Sequence, residues 1–287
     1  MKAGFFFQSW VNIDILQSLA EKMDIQLVGA FFHDQNNINY SNPKIYKSED
    51  ELLVQIEVAY IFLDKNSYFD FTAKAIKRGV NIFLASLPNY TNSELFEINQ
   101  LSSEIGIPIG FGCAGEDLIR HDEILGNYFM LQFTRDAGAE TNDEKFRRML
   151  IYDIASLVRI KPSGLRKLRV NGLPLFTQSP KAINLRMEYD NSSIIVYSIT
   201  RINQPQRCVL RFFSGDDGYF KNLSFNNEAF NFRIDKSPEK LLLDQTSSII
   251  LYTKELKEKS PLSFNLENAI ETLSIIETIE NRLFPMN

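Results

Sequence analysis

Over the first 110 residues the sequence alternates short apolar runs with amphipathic segments. A parallel sheet with helices on both faces writes that beat, because a strand buried on both faces has no polar side to show. The apolar runs fall at residues 3–7, 26–32, 58–63, 80–85 and 107–111. Between them, residues 13–23 put Ile15, Leu16, Leu19 and Met23 on one helical stripe. Ser48 and Glu51 form a capping-box pair ahead of Leu52, Leu53 and Ile56, which predicts a helix start. A third helix runs through Phe71, Ala75 and Ile76 to Gly79, where a left-handed C-cap is expected. A fourth, residues 91–105, turns Leu95, Ile98 and Leu101 inward before Gly106. The pattern predicts a doubly wound parallel sheet over residues 1–115.

After about residue 112 the rhythm changes. Residues 128–135 read as a strand, and residues 143–159 as a helix with Phe146, Leu150, Ile154, Leu157 and Val158 apolar. Strands are expected at 165–170, 182–189, 193–201, 209–213 and 220–225, separated by turns such as Asp190-Asn191 and Gly215-Asp216-Asp217-Gly218. Short turns between alternating strands predict an open antiparallel sheet with one face on the helix and one free to meet a partner. A last helix, residues 266–283, carries Ala269, Leu273, Ile276 and Ile279 on one face. Residues 116–287 are thus expected to form a second, α+β domain.

Composition narrows the class of function. Of 287 residues 44% are hydrophobic and 23% charged, so a large buried core is within reach. A net charge of −5 argues against a nucleic-acid surface and, more weakly, against an anionic membrane. Cys113 and Cys208 have no partner motif and fit free thiols in a reducing compartment. Gln8 and Ser9 cut the apolar start too early for a signal peptide, and no run of 18 apolar residues exists, so a cytoplasmic location is expected. No Gly-Lys-Ser/Thr phosphate loop, nucleophile elbow or Cys/His cluster appears, and no metal is expected. Gly215 to Gly218 reads as a hairpin turn and not a calcium loop, since too few oxygen ligands surround it.

Several segments resemble the Gfo/Idh/MocA family of glucose–fructose oxidoreductase and inositol dehydrogenase type. Val58-Ala59-Tyr60-Ile61-Phe62-Leu63 resembles its "D-A-V-Y-I-A-T" strand, and Phe71 to Gly79 the helix that follows. The stretch from Val80 to Pro88 resembles "K-H-V-F-V-E-K-P", and Gly106 to Phe111 resembles "G-V-P-L-Q-V-G-F". Further on, residues 183–200 are similar to its strand–turn–strand hairpin, Gly215 to Gly218 to its "G-T-E-G" turn, and residues 268–281 to its last helix. The resemblance implies an N-terminal Rossmann-like domain, an α+β domain with an open antiparallel sheet, NAD or NADP as cofactor, and a sugar-like substrate. It also implies a homodimer or tetramer built through the open sheet.

Position by position, the family's chemistry is replaced. Its first turn is glycine-rich so that a pyrophosphate approaches the backbone at a helix N-terminus. Here the turn reads Phe7-Gln8-Ser9-Trp10-Val11-Asn12, so Gln8, Ser9 and Trp10 stand in the cofactor-binding positions. Ser9 and Asn12 are placed to cap the helix or to meet a smaller anion. The acidic residue for the adenosine ribose falls on Phe32, with His33 and Asp34 next; Asp34 substitutes if the register shifts by two. Glu-Lys-Pro becomes Ser86-Leu87-Pro88, which removes the lysine. The family's Asp and His, one helical turn apart, overlay Arg148 and Tyr152, neither of which titrates near neutrality in its ordinary state. Lys65 and Tyr68 would line the cleft with them, a basic and phenolic set suited to an anionic or hydroxylated small ligand. His121 reads as a solvated linker residue. The expectation is a divergent homologue without ordinary NAD(P)-dependent hydride transfer, acting as a small-ligand-binding, structural or regulatory protein. The alternative is an active NAD(P)-dependent sugar oxidoreductase with an atypical cofactor loop and a tyrosine-based proton relay.

Overall fold

The computed structural model describes residues 1–34, 44–63, 68–87, 91–112, 128–139, 141–161, 163–173, 180–201, 207–213, 220–226, 242–243 and 245–283. They fall into two compact units, Met1–Cys113 with Asp235–Ile270, and Ala114–Ile234 with Glu271–Asn287. The segment Asp235–Ile270 thus groups with the first unit, although the sequence alone puts everything after residue 115 in the second.

In the first unit, strands β1 (Lys2–Phe7), β2 (Gln26–Phe32), β3 (Val58–Phe62), β4 (Asn81–Leu84) and β5 (Ile109–Phe111) form a parallel sheet in the order β2-β1-β3-β4-β5. All of β3, and β1 after Lys2, is buried, which is why these strands read as unbroken apolar runs. Aromatic rings carry much of the packing: Phe5 stacks on Tyr60 at 4.8 Å and Phe7 on Phe62 at 4.9 Å. Helices α1 (Ile13–Lys22), α2 (Glu49–Leu53), α3 (Tyr68–Lys77) and α4 (Asn92–Ile105) connect the strands. Ser48 caps α2 by accepting from the Asp50 amide; the reciprocal capping box sits instead at α4, between Thr91 and Glu94. Gly79 adopts the left-handed conformation expected of it, and Gly106, which closes α4, does the same. Ser102 accepts from the amides of both Gly106 and Ile107, so β5 starts two residues later than the apolar run suggests.

A further helix of this unit, α6 (Thr246–Glu258), has no counterpart among the expected elements. Ile249 and Tyr252 bury against the sheet, with the Tyr252 ring 5.4 Å from Phe83. A hydrogen bond of 2.6 Å joins the Tyr60 and Thr253 hydroxyls. Burial pushes the Tyr60 phenol above its ordinary range.

The second unit holds a six-stranded sheet in the order β11-β10-β6-β9-β8-β7. Its strands are β6 (Met130–Asp136), β7 (Leu165–Leu173), β8 (Ala182–Tyr189), β9 (Ile194–Thr200), β10 (Arg207–Phe213) and β11 (Phe220–Asn226). Helix α5 (Asp143–Arg159) joins β6 to β7. All pairs are antiparallel except β6 with β9, so the expected antiparallel sheet is in fact mixed. The α5 crossover returns the chain in its original direction, and the β7-β8-β9 meander then brings a parallel strand beside β6. Burial alternates residue by residue along β6 and β9. The inner set, including Leu131, Phe133, Ile195 and Tyr197, forms one core with Phe146, Leu150, Ile154 and Leu157 of α5. Ile275, Ile276 and Ile279 of α7 (Leu266–Leu283) complete it.

Candidate functional site

Ligands of doubly wound sheets bind beyond the carboxyl ends of the strands, where the strand order reverses. That point lies between β1 and β3, and the chain closes it with its own backbone. The Gln8 amide donates to the Phe62 carbonyl at 3.1 Å, and the Gln8 carbonyl accepts from the Asp34 amide at 2.8 Å. Main-chain pairing therefore continues past the end of β1 toward both neighbouring strands. The Gln8 side chain adds a bond of its own, donating from Nε2 to Asp34 Oδ1 at 2.6 Å.

Trp10 lies over Phe32 with ring centroids 4.9 Å apart and remains 45% exposed. Phe32 is buried at the tip of β2, where the Phe7 ring also stacks on it at 5.8 Å. Behind this pair, Asn12 caps α1 by accepting from the Asp14 amide, and Asp14 places a carboxylate in the first turn. A carboxylate there offsets the positive end of the helix dipole that a pyrophosphate would use. The residues present do not fit a dinucleotide pyrophosphate: the Gln8 amide is paired, Asn12 fills the α1 cap, and the glycine-free turn holds a partly exposed indole beside Phe32. Four of the sequence-expected positions, Gln8, Ser9, Trp10 and Asp34, are thus gathered at one edge of the first unit. Lys65, Pro88 and His121 lie outside the described residues, and Tyr68 begins α3.

Arg148 and Tyr152 stand one turn apart on α5 in the second unit. Arg148 pairs along the helix with Glu144 at 2.5 Å, a partly exposed bond. Tyr152 is half-buried. Next to it, Asp153 makes contacts that no sequence pattern singles out. Arg135 Nε donates to Asp153 Oδ2 at 2.5 Å, Arg135 Nη2 donates to Oδ1, and the Tyr197 hydroxyl donates to Oδ2 at 2.7 Å. All three residues are buried. Burial pushes the Asp153 carboxyl up, against the pull of Arg135 and Tyr197. Burial also works against the Arg135 charge, but the Asp153 carboxylate outweighs it and raises the guanidinium pKa. Three donors converging on one carboxylate keep the pair ionised. The trio ties α5 to β6 and β9 and fixes the face on which Arg148 and Tyr152 sit.

Among the described residues no group of His, Cys, Asp and Glu is placed to hold a metal ion, and no helix is long and apolar enough to cross a membrane.

No family model matches the sequence, and no curated protein matches it. Solved structures do match along almost the whole length. A probable dehydrogenase from Thermotoga maritima shares 11% identity at a TM-score of 0.77, covering 99% of this chain and 96% of its own. UDP-N-acetylglucosamine 3-dehydrogenase from Acidithiobacillus ferrooxidans shares 13% at 0.70, covering 99% and 97%. Scyllo-inositol dehydrogenase from Lactobacillus casei, solved with bound NAD(H) and scyllo-inositol, shares 9% at 0.66, covering 99% and 96%. The fold of this chain is that of these dehydrogenases.

Proposed function

We propose that the chain is a divergent homologue of these dehydrogenases that does not carry out ordinary NAD(P)-dependent hydride transfer and has become a small-ligand-binding protein. The observation that carries this reading is the closed tip of β1. Gln8 is held by Phe62 and Asp34, and Trp10 covers Phe32, where a dinucleotide needs open backbone and a carboxylate. On α5, Arg148 and Tyr152 supply a cation and a phenol in place of an acid–base pair, which suits holding a hydroxylated or anionic ligand better than moving a proton at neutral pH.

The rival reading, an active NAD(P)-dependent sugar oxidoreductase with a tyrosine-based proton relay, draws support from Asp34, which keeps a carboxylate just beyond β2. One of its two oxygens, Oδ1, however, is already engaged by Gln8. Titration of the full-length protein with NADH and NADPH, followed by cofactor fluorescence, separates the two. No saturable binding is expected at micromolar concentrations; micromolar binding of either overturns the proposal.

We further propose that the face of the six-stranded sheet away from α5 joins copies of the chain. Phe129 is exposed there, its ring 6.2 Å from Phe213, and half-buried Ile194 and Val196 continue the apolar strip. Light scattering is expected to give a dimer or tetramer, and a monomer at high concentration contradicts it.

A further inference from the structure

The face of the six-stranded sheet away from α5 divides its charge unevenly. Ile194 and Val196 make its middle apolar, while the end strands β8 and β7 carry a cluster of arginines. Arg186 of β8 stands directly opposite Arg169 of β7, and Lys167 stands opposite Glu188. Like charges directly opposite across two strands are destabilising, because their side chains leave the sheet only about 4.5–5.5 Å apart. Glu188 is shared among these cations. Its Oε1 accepts from Arg186 Nε at 3.0 Å, but Arg169 Nη2 and Arg166 Nη2 stop 3.6 and 3.8 Å from its oxygens, beyond hydrogen-bond reach. The Arg186 bond, with the charges of Arg169, Arg186 and Lys167, holds the Glu188 carboxyl below its ordinary value. The three arginine side chains are nonetheless 44% to 58% exposed, so their guanidinium forks face solvent.

The strands of a second copy do not supply the anions this cluster lacks. In the sequences of the six strands the only acids are Glu188 and Asp136, and Asp136 already accepts from Thr200. The chain as a whole carries a net charge of −5, which works against a nucleic acid or an anionic membrane approaching over a wide area. Small-molecule sites are concave, whereas these side chains stand on an open strand face. Arginine forks match carboxylates with two parallel bonds each. Lys167 and Arg169 repeat along β7 at about 6.8 Å, the spacing of alternate side chains in an extended peptide.

We propose that the β7–β8 end of this sheet face docks an extended acidic segment of a partner protein, with its alternate carboxylates against Lys167, Arg169 and Arg186. The surface lies in the second unit, goes beyond the small-ligand reading, and stands or falls without it.

Its test is fluorescence anisotropy of fluorescein-labelled hexaglutamate titrated with the full-length protein at low salt. A saturable rise is expected, weakening as salt is raised. Arg169→Gln/Arg186→Gln is expected to weaken binding about tenfold, the effect of losing two exposed ion pairs. Lys22→Gln/Lys254→Gln removes the same charge from exposed positions in the first unit and is expected to change the affinity less than about twofold. Should the double arginine variant fail to fold, Arg169→Gln keeps the Arg186–Glu188 bond and is expected to weaken binding about threefold. Without peptide, its Tm is expected to be no lower than wild type, since a like-charge pair is relieved. The proposal is overturned if hexaglutamate gives no saturable rise up to about 1 mM protein, or if the arginine variants bind as wild type does. An equal loss in Lys22→Gln/Lys254→Gln overturns it too, because the attraction is then diffuse. So does tighter binding of an oligothymidylate or of phosphatidylserine vesicles than of the peptide. A lower Tm in Arg169→Gln makes that arginine a support of the fold and likewise overturns it.

Discussion

Removing the Asp153 carboxylate is expected to destabilise the second unit far more than removing any charge on the surface. Arg135 is 3% exposed and Asp153 2%, and the carboxylate accepts two bonds from the guanidinium and one from Tyr197. Asp153→Ala leaves the guanidinium charged, because arginine does not titrate in reach of neutrality, and it buries that charge without a counter-ion. Breaking a buried pair in this way costs about 3–5 kcal/mol. Glu144→Ala is the internal comparison, since it frees Arg148 from a partly exposed pair worth about 0.3–0.5 kcal/mol. The roughly tenfold ratio between the two, and not either number alone, is the prediction. Urea denaturation followed by far-UV circular dichroism measures both. The triple variant Arg135→Met, Asp153→Leu, Tyr197→Phe removes the whole polar set and is expected to unfold within about 1–2 kcal/mol of wild type, because the desolvation cost leaves with the charges. An Asp153→Ala cost below about 1 kcal/mol would refute the reasoning, since that is the range of an exposed pair. So would a triple variant as unstable as the single one.

Three further outcomes follow from single contacts. The sequence holds one tryptophan, so intrinsic fluorescence reports the Trp10 stack directly; Phe32→Ala is expected to red-shift the emission and to lower stability by about 3–5 kcal/mol, and an unshifted spectrum would show that the stack is not formed. Burial pushes the Cys208 thiol up to about 12, so in Cys113→Ser protein the remaining thiol is expected to ignore Ellman's reagent at pH 8 until denaturant is added. Hydrogen bonding from Lys74, with the charge of Arg78 adding to it, holds the Asp50 carboxyl below its ordinary value; that support is present above the ordinary carboxylate pKa and is lost as pH falls through the depressed one. The Tm of Asp50→Asn is therefore expected to fall less than that of wild type between pH 6 and pH 3, and parallel profiles would contradict the assignment.

What the sequence reveals depends on how local the controlling physics is. The parallel sheet is legible because burial on both faces erases polar positions from β1 and β3. Helix α6 is not, because much of its inner face is polar: Ser248, Thr253 and Glu255 are buried, and Glu255 is satisfied by Ser263 and Thr253 by the Tyr60 hydroxyl, partners that no periodicity announces. Alternation in β6 and β9 tells which residues face inward but not which way the neighbouring strand runs, so the parallel pair escapes notice. Gln8, Trp10 and Asp34 stand out as misfits against a glycine-rich turn, yet the Gln8–Asp34 bond crosses 26 residues and Trp10 meets Phe32, contacts that belong to the fold. Asp153 is invisible for the same reason: a buried carboxylate reads in sequence like a surface one.

The closed tip of β1 also changes where stability comes from. A loop shaped to receive a pyrophosphate leaves amides unpaired and room vacant until the ligand arrives, and binding then stabilises the fold by mass action. In this chain the Gln8 backbone is paired with Phe62 and Asp34, the Gln8 side chain bonds Asp34, and Trp10 shields Phe32, so these contacts form without any ligand.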